Sequence, residues 1–256
     1  MVTAQPNAPL SDRSVWPVRH PWVLAVVFGL VPVVFTTVGA AYGQIRQLDD
    51  PGVYTAMAVA VTLSALVGAL VMWRARPSFA DFGFRAPEQA RAALWFVPCA
   101  LVVLSVLIAT GVATPPATIP PLLWLAVAVG FNEEIWYRGL SVTALRVLGT
   151  RKALVGGAIV FGVLHLVNLL NPGVTMEYAL LQLLFAALFG FVAAEIFVVT
   201  RSLWPVIVWH AAYDFTAYIG GDALDLRGLL GTGAATVVLV AYAAWLWRHL
   251  PDDRRA

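Results

Sequence analysis

Long apolar runs separated by short polar connections form the main pattern of this chain. Each run has about 20 residues, enough to cross the hydrocarbon core of a bilayer as a helix. The predicted spans cover residues 22–43, 54–73, 92–114, 121–145, 152–170, 177–199, 203–219 and 229–248. The pattern therefore predicts an all-α fold, a polytopic membrane protein with about eight transmembrane helices.

The composition agrees with this class of protein. The chain is 61% hydrophobic and 12% charged, whereas soluble domains are about 45–50% apolar and 25% charged. The net charge of +2 is too small to indicate nucleic acid as a partner, so we expect a lipid bilayer around the protein. The only cysteine, Cys99, lies within an apolar span, which excludes an intrachain disulfide.

The domain organisation follows from the same pattern. We expect a disordered cytoplasmic tail at 1–20, one transmembrane helical domain at 21–250 and a second short tail at 251–256. The first apolar run is longer than the 7–15 residues of a signal-peptide core, so we interpret it as a retained helix.

The distribution of basic residues predicts the orientation. With a cytoplasmic N-terminus, thirteen Arg and Lys residues fall in the inner segments and two, Arg46 and Arg227, fall in the outer loops. This asymmetry favours an even number of spans with both termini in the cytoplasm. Fifteen arginines against one lysine suggest a GC-rich bacterial genome, and hence a bacterial plasma membrane.

The fourth span contains three charged residues, Glu133, Glu134 and Arg138. A charge at the centre of a membrane helix costs about 2.5–3.5 kcal/mol on insertion scales, so such residues are candidates for function. Glu134 and Arg138 are four residues apart with the acid first, the favourable order for an ion pair on one helix face. The Glu133 side chain points about 100° away from this face. Its carboxylate lies outside the ion pair and is a candidate for catalysis. A structural network that ties helices together is the alternative interpretation.

Two later spans contain the other candidate residues. His165 lies in the middle of the fifth span with Asn168 one turn further on, and His210 lies four residues before Asp214 in the seventh. Glu133 and His165 each lie about 20 Å from the inner end of their helices. We therefore expect the three spans to form one site, reached from the cytoplasmic half of the bilayer.

Glu195 lies near the end of the sixth span, and its position allows two interpretations. It either pairs with Arg201 or joins the same site.

The residue types suit hydrolysis in two ways. A glutamate in a low-dielectric pocket can act as a general base on water, while histidines donate hydrogen bonds to a developing oxyanion. Alternatively, Glu133, His165 and His210 match a common catalytic zinc ligand set with a fourth position for water. The zinc-binding helix motif HExxH is absent, so both the zinc and the metal-free alternatives stay open.

Three motifs resemble those of the CAAX-protease and bacteriocin-processing (CPBP) family, a group of intramembrane peptidases that includes the type II CAAX prenyl endopeptidases. The motifs are Glu133-Glu134-x-x-x-Arg138, Phe161-x-x-x-His165 and His210-x-x-x-Asp214, in that order within membrane spans. The resemblance covers about residues 120–218. Any one motif is weak, but the three in order are specific.

The resemblance implies roles for the residues. Glu133 would activate the attacking water with help from His165, while His210 and Asp214 would hold the substrate carbonyl and its oxyanion. Glu134 and Arg138 would brace the helix or bind the substrate carboxylate. The family is commonly called metalloproteases, and its site has also been assigned metal-free roles. Asp214 departs from the Asn of the prenyl endopeptidases, and an ionised aspartate would repel an oxyanion. It would instead orient His210 or help to hold a metal.

We therefore expect an intramembrane endopeptidase, a hydrolase that cleaves a membrane-associated or lipidated peptide or protein. A non-catalytic membrane scaffold or bacteriocin-immunity protein is the first alternative. An ion- or proton-coupled transporter is the second, because Glu, His and Asp within spans also form proton relays. The transporter is disfavoured because the chain shows neither a repeat between its halves nor paired Gly/Pro-broken helices.

Overall fold

The computed structural model describes residues 19–76, 78–87, 95–171, 173–221 and 223–251. All regular elements in these ranges are helical, and eight helices correspond to the eight predicted spans, so the all-α membrane fold is confirmed. They are α1 (Pro21–Ile45), α2 (Asp50–Ala75), α3 (Val97–Thr110), α4 (Ile119–Glu133), α5 (Thr150–Leu164), α6 (Met176–Thr200), α7 (Trp204–Ile219) and α8 (Leu226–Trp247). The predicted tails at 1–20 and 251–256 lie almost wholly outside the described residues.

Five of these helical segments are long and apolar enough to cross a membrane. They are α1, α2, α6, α8 and the segment Thr150–Leu170 that begins with α5. Many large apolar side chains on the outer surface are exposed, with Ile108 at 81% and Val237 at 70%. In a membrane protein such side chains face lipid, where their exposure carries no penalty.

The helices pack so that α4 and α7 lie inside the bundle. α4 packs between α2 and α7, and α7 also contacts α3 and α6. On one side α1 packs on α2, and on the other α3 and α6 pack on α8. The largest apolar core joins α3, α6, α7 and α8. The two inner helices carry Glu133, His210 and Asp214, so the fold places these residues away from lipid.

Three helices that begin at the same end of the bundle have side-chain caps. Asp49 accepts a hydrogen bond from the backbone N–H of Gly52 before α2, Thr175 from Tyr178 before α6, and Asp225 from Gly228 before α8. These bonds satisfy backbone donors that have no partner within the helix.

Three predicted spans differ in detail from the structure. The third ends at Thr110 rather than at residue 114, because Gly111 has a φ of +63° and leaves the helical conformation. The fourth changes from α-helix to π-helix at Glu134–Val142 and ends in a short α-helical turn, Thr143–Leu145. The fifth tightens into a 3₁₀ helix at His165–Leu170.

The described part of the connection between α2 and α3 packs on the helical bundle. We call this part, residues 78–87, the elbow. Phe82 is fully buried, and the ring of Phe84 packs edge-on against Trp204 at 5.5 Å. The carbonyl oxygen of Gly83, whose φ is +96°, accepts a hydrogen bond of 2.8 Å from the N–H of Leu203. The elbow therefore fixes the start of α7.

We expect Gly83→Ala to destabilise the protein more than Gly111→Ala does. Both positions have a positive φ, where a Cβ costs about 1–3 kcal/mol. At Gly83 the added Cβ would also lie 2.5 Å from a ring carbon of Phe197, whereas at Gly111 it would meet nothing within 4 Å. The free energy of unfolding, measured by titrating SDS into mixed micelles, checks this difference. Equal losses in the two variants would show that the elbow does not pack tightly on α6 and α7.

Candidate active site

The segment that carries the two glutamates is wound as a π-helix because its side chains bind neighbouring helices. The indole N–H of Trp136 donates to the carbonyl oxygen of Ser64 on α2 at 3.2 Å, and the Tyr137 hydroxyl donates to that of Gly29 on α1 at 3.0 Å. The Ser141 hydroxyl donates to the carbonyl of Trp136, five residues back, at 2.8 Å. π-Helical turns are rare and are frequent at functional sites. Here the wide turn begins at Glu134, next to the catalytic candidate Glu133.

Glu134 is the centre of a fully buried ionic cluster. Its Oε1 accepts hydrogen bonds from Arg138 Nη1 at 2.8 Å and from His210 Nδ1 at 2.7 Å. The predicted ion pair between Glu134 and Arg138 is therefore present. The bond to His210 joins the π-helix to α7. Since removal of one partner leaves an uncompensated buried charge, the three residues depend on one another.

The other nitrogen of the same imidazole lies between two more carboxylates. His210 Nε2 is 3.7 Å from Glu133 Oε2 and 3.6 Å from Asp214 Oδ2. The side chains of Glu133 and Asp214 remain 19% and 14% exposed, in contrast to the buried Glu134. The structure thus assigns one glutamate to the ionic cluster and leaves the other accessible.

His165 approaches the cluster through Phe161. Its Nδ1 lies 2.8 Å from the Phe161 carbonyl oxygen, and its ring is 4.7 Å from the Phe161 ring between centroids. The same phenyl ring lies 6.2 Å from the ring of His210 and 4.4 Å from the guanidinium carbon of Arg138. The Phe161 ring therefore packs against the rings of both histidines.

Both imidazoles have the same tautomer when neutral. A carbonyl oxygen and an ionised carboxylate can only accept hydrogen bonds, so Nδ1 carries a proton in His165 and in His210. Each ring then has its Nε2 left for other partners.

Two glycines let the helices approach closely around this cluster. A Cβ on Gly130 would lie 2.9 Å from the carbonyl oxygen of Ile207, so α4 and α7 touch through their backbones one turn from Glu133. A Cβ on Gly190 of α6 would lie 2.7 Å from the ring of Phe161 and 3.3 Å from Arg138 Nη2. Small residues at such contacts are typical of membrane helix packing.

Not every predicted residue joins the cluster. Asn168 donates a hydrogen bond of 2.8 Å to the Gln182 side chain on α6, so its amide binds a neighbouring helix. Glu195 is buried, and neither of its oxygens has a hydrogen-bond partner among the described residues. Of the two alternatives for Glu195, neither a hydrogen bond to Arg201 nor one to the cluster is found among the described residues.

Several buried polar atoms in the segment 132–138 have no hydrogen-bond partner among the described residues. These atoms are Asn132 Oδ1, Glu133 Oε2, Glu134 Oε2 and Arg138 Nη2. Buried polar groups are nearly always paired, so a cluster of unpaired ones indicates a place for water or ligand. Asn132 was not among the residues predicted from the sequence, although an amide inside an apolar run was the signal that could have found it.

The positions of the side chains bear on the zinc alternative. Within the described ranges, no group of three or more His, Cys, Asp and Glu side chains is arranged to hold a metal ion. Glu133, His165 and His210 as placed therefore do not fit a zinc site, and we derive no catalytic step through a metal.

The fold and this cluster define a polytopic membrane protein with an acid–base site buried in its helical bundle. Residues 115–216 match the family model of the Rce1-like type II CAAX prenyl endopeptidases, which confirms the family resemblance. The matched range contains α4 to α6, most of α7 and all the candidate site residues predicted from the sequence. A search of curated proteins gave no match.

We expect Glu134→Ala to destabilise the protein by about 3–5 kcal/mol, because it leaves the Arg138 guanidinium buried without its carboxylate. Glu133→Gln is the matched control, since Glu133 is more exposed and lies outside this ion pair. The control should unfold within about 0.5 kcal/mol of the wild type. SDS titration of both purified variants measures the difference. A smaller loss for Glu134→Ala than for Glu133→Gln would contradict the assignment of Glu134 as the structural partner.

Proposed function

We propose that the chain is an intramembrane endopeptidase that hydrolyses a peptide bond in a membrane-associated or lipidated peptide or protein. One observation carries the proposal. Glu133 presents an unpaired carboxylate oxygen beside His210 inside an otherwise apolar bundle, within the segment that matches the CAAX endopeptidase model. The family match supports a membrane protease in general. The catalytic steps assigned to individual residues are our own proposal.

Glu133 acts as the general base. Its carboxylate takes a proton from a water molecule, and the water oxygen attacks the carbonyl carbon of the scissile bond. His165 helps to hold this water through Nε2, since its Nδ1 is engaged by the carbonyl of Phe161. The tetrahedral intermediate then collapses. The C–N bond breaks, and Glu133 returns the proton to the leaving amine.

Glu134 and Arg138 position the reacting groups without touching the substrate bond. Glu134 holds His210 through Nδ1, so His210 Nε2 faces Glu133 and Asp214. When both of its nitrogens carry protons, His210 can donate from Nε2 to the substrate carbonyl.

Cleavage assays on the purified full-length protein test the reaction. We expect Glu133→Gln to abolish cleavage of a fluorogenic peptide pool in detergent or proteoliposomes, because an amide cannot accept the proton from water. His165→Ala should lower kcat by about 100-fold or more, in the range of lost acid–base assistance.

The matched control is Glu195→Gln, which replaces a buried glutamate outside the cluster and should retain cleavage. Full activity in Glu133→Gln would overturn the proposed mechanism. We expect cleavage to survive treatment with a chelator, because the described side chains do not form a metal-ligating group. Chelator-sensitive cleavage restored by zinc would instead support the zinc alternative.

We further propose a bacterial plasma-membrane location with both termini in the cytoplasm, supported by the thirteen-to-two distribution of basic residues. In a Cys99→Ala background, Gly173→Cys should react with an impermeant maleimide in intact cells. Ser78→Cys should react only after the inner membrane is opened. Both positions are exposed connections, and they lie at opposite ends of the bundle. The reverse labelling pattern would show that the orientation is inverted.

A further inference from the structure

Tyr218 lies on the same stripe of α7 as the site residues. It follows Asp214 by four residues and His210 by eight, so it lies one and two helical turns further along. Side chains at this spacing point to neighbouring parts of one helix face. The face of α7 that carries His210 and Asp214 therefore also carries the Tyr218 side chain.

The Tyr218 ring is held next to the turn that precedes Glu133. It packs on a small apolar cluster that includes Val129 and Leu125 of α4 and Val61 of α2. Val129 lies four residues before Glu133, on the same face of α4. The contact places the tyrosine along the α4–α7 seam, at the border of the acid–base site.

The hydroxyl of Tyr218 is available for a ligand. No described residue forms a hydrogen bond with it. Outside the helix, the Tyr218 backbone carbonyl accepts a hydrogen bond from the Thr114 hydroxyl at 3.1 Å. A partly buried tyrosine usually places its hydroxyl on a partner, so a free one beside a site indicates a substrate contact.

Peptide hydrolysis at this site needs a second donor besides His210. The carbonyl oxygen becomes negatively charged when water attacks, and it needs hydrogen bonds from fixed donors. Glu133 and Asp214 offer only acceptors when ionised, and Arg138 is bound to Glu134. A phenol donates without adding charge, which suits a site in an apolar bundle.

We propose that the Tyr218 hydroxyl donates a hydrogen bond to the carbonyl oxygen of the scissile peptide and stabilises its oxyanion together with His210. The inference rests on the proposed endopeptidase function. It names a catalytic residue outside the three sequence motifs, on the side of the site formed by α2 and α4.

Tyr218→Phe tests the proposal, because it removes the donor and keeps the ring that packs on α4. We expect kcat to fall by about 100- to 1000-fold, the loss typical of one oxyanion donor, with KM changed less than threefold. Tyr213→Phe is the matched control on the same helix. Its ring stacks on Phe185 and packs against Phe189 of α6, so its kcat should stay within twofold of the wild type.

A second measurement separates donation from packing. In the Glu133→Gln background, Tyr218→Phe should weaken binding of a peptidyl phosphinate, a mimic of the tetrahedral oxyanion, by at least tenfold more than binding of the matching amide peptide. A merely structural role would weaken both equally and overturn the proposal.

The outcomes also distinguish this inference from the function on which it rests. Absence of cleavage by the wild-type protein over the peptide pool would count against the endopeptidase itself. Wild-type kcat in Tyr218→Phe, with Glu133→Gln inactive, would overturn only the role of Tyr218.

Discussion

The pairing of buried charges around Glu134 is the constraint on which this structure depends. A carboxylate within a membrane bundle is costly unless donors surround it, and here Arg138 and His210 both donate to the same oxygen. One partner lies on the same helical segment and the other on α7. The cluster therefore fixes the position of α7 relative to the π-helix, and this position brings His210 Nε2 to Glu133 and Asp214.

The surrounding packing serves the same arrangement. Gly130 allows α7 to approach α4, and Gly190 leaves room for the ring of Phe161 beside Arg138. At the start of α7, the elbow binds Leu203 through the carbonyl of Gly83. The contacts of Gly130 and of Gly83 limit where α7 can lie, and the contact of Gly190 limits where the Phe161 ring can lie.

The sequence predicts much of this fold because membrane spans depend on local hydrophobicity, which is read directly from the chain. It also predicts the Glu134–Arg138 pair, because residues four apart are neighbours on a helix. It does not predict the π-helix, whose winding depends on hydrogen bonds from Trp136 and Tyr137 to carbonyls of distant helices. The sequence leaves the partner of Glu195 open and does not predict the bond of Asn168 to Gln182. The reason is related: helix rotation decides which neighbour a side chain meets, and one sequence does not fix that rotation.

The backbone contact at Gly130 has a consequence for how a peptide chain could reach the site. Ile207 and Ala211 lie directly against this glycine, so the seam between α4 and α7 has no gap at that level. An extended polypeptide with its side chains is far wider than a van der Waals contact, and it cannot thread between the two helices. A polypeptide substrate, as proposed, would therefore approach Glu133 without crossing the α4–α7 contact at the level of Gly130.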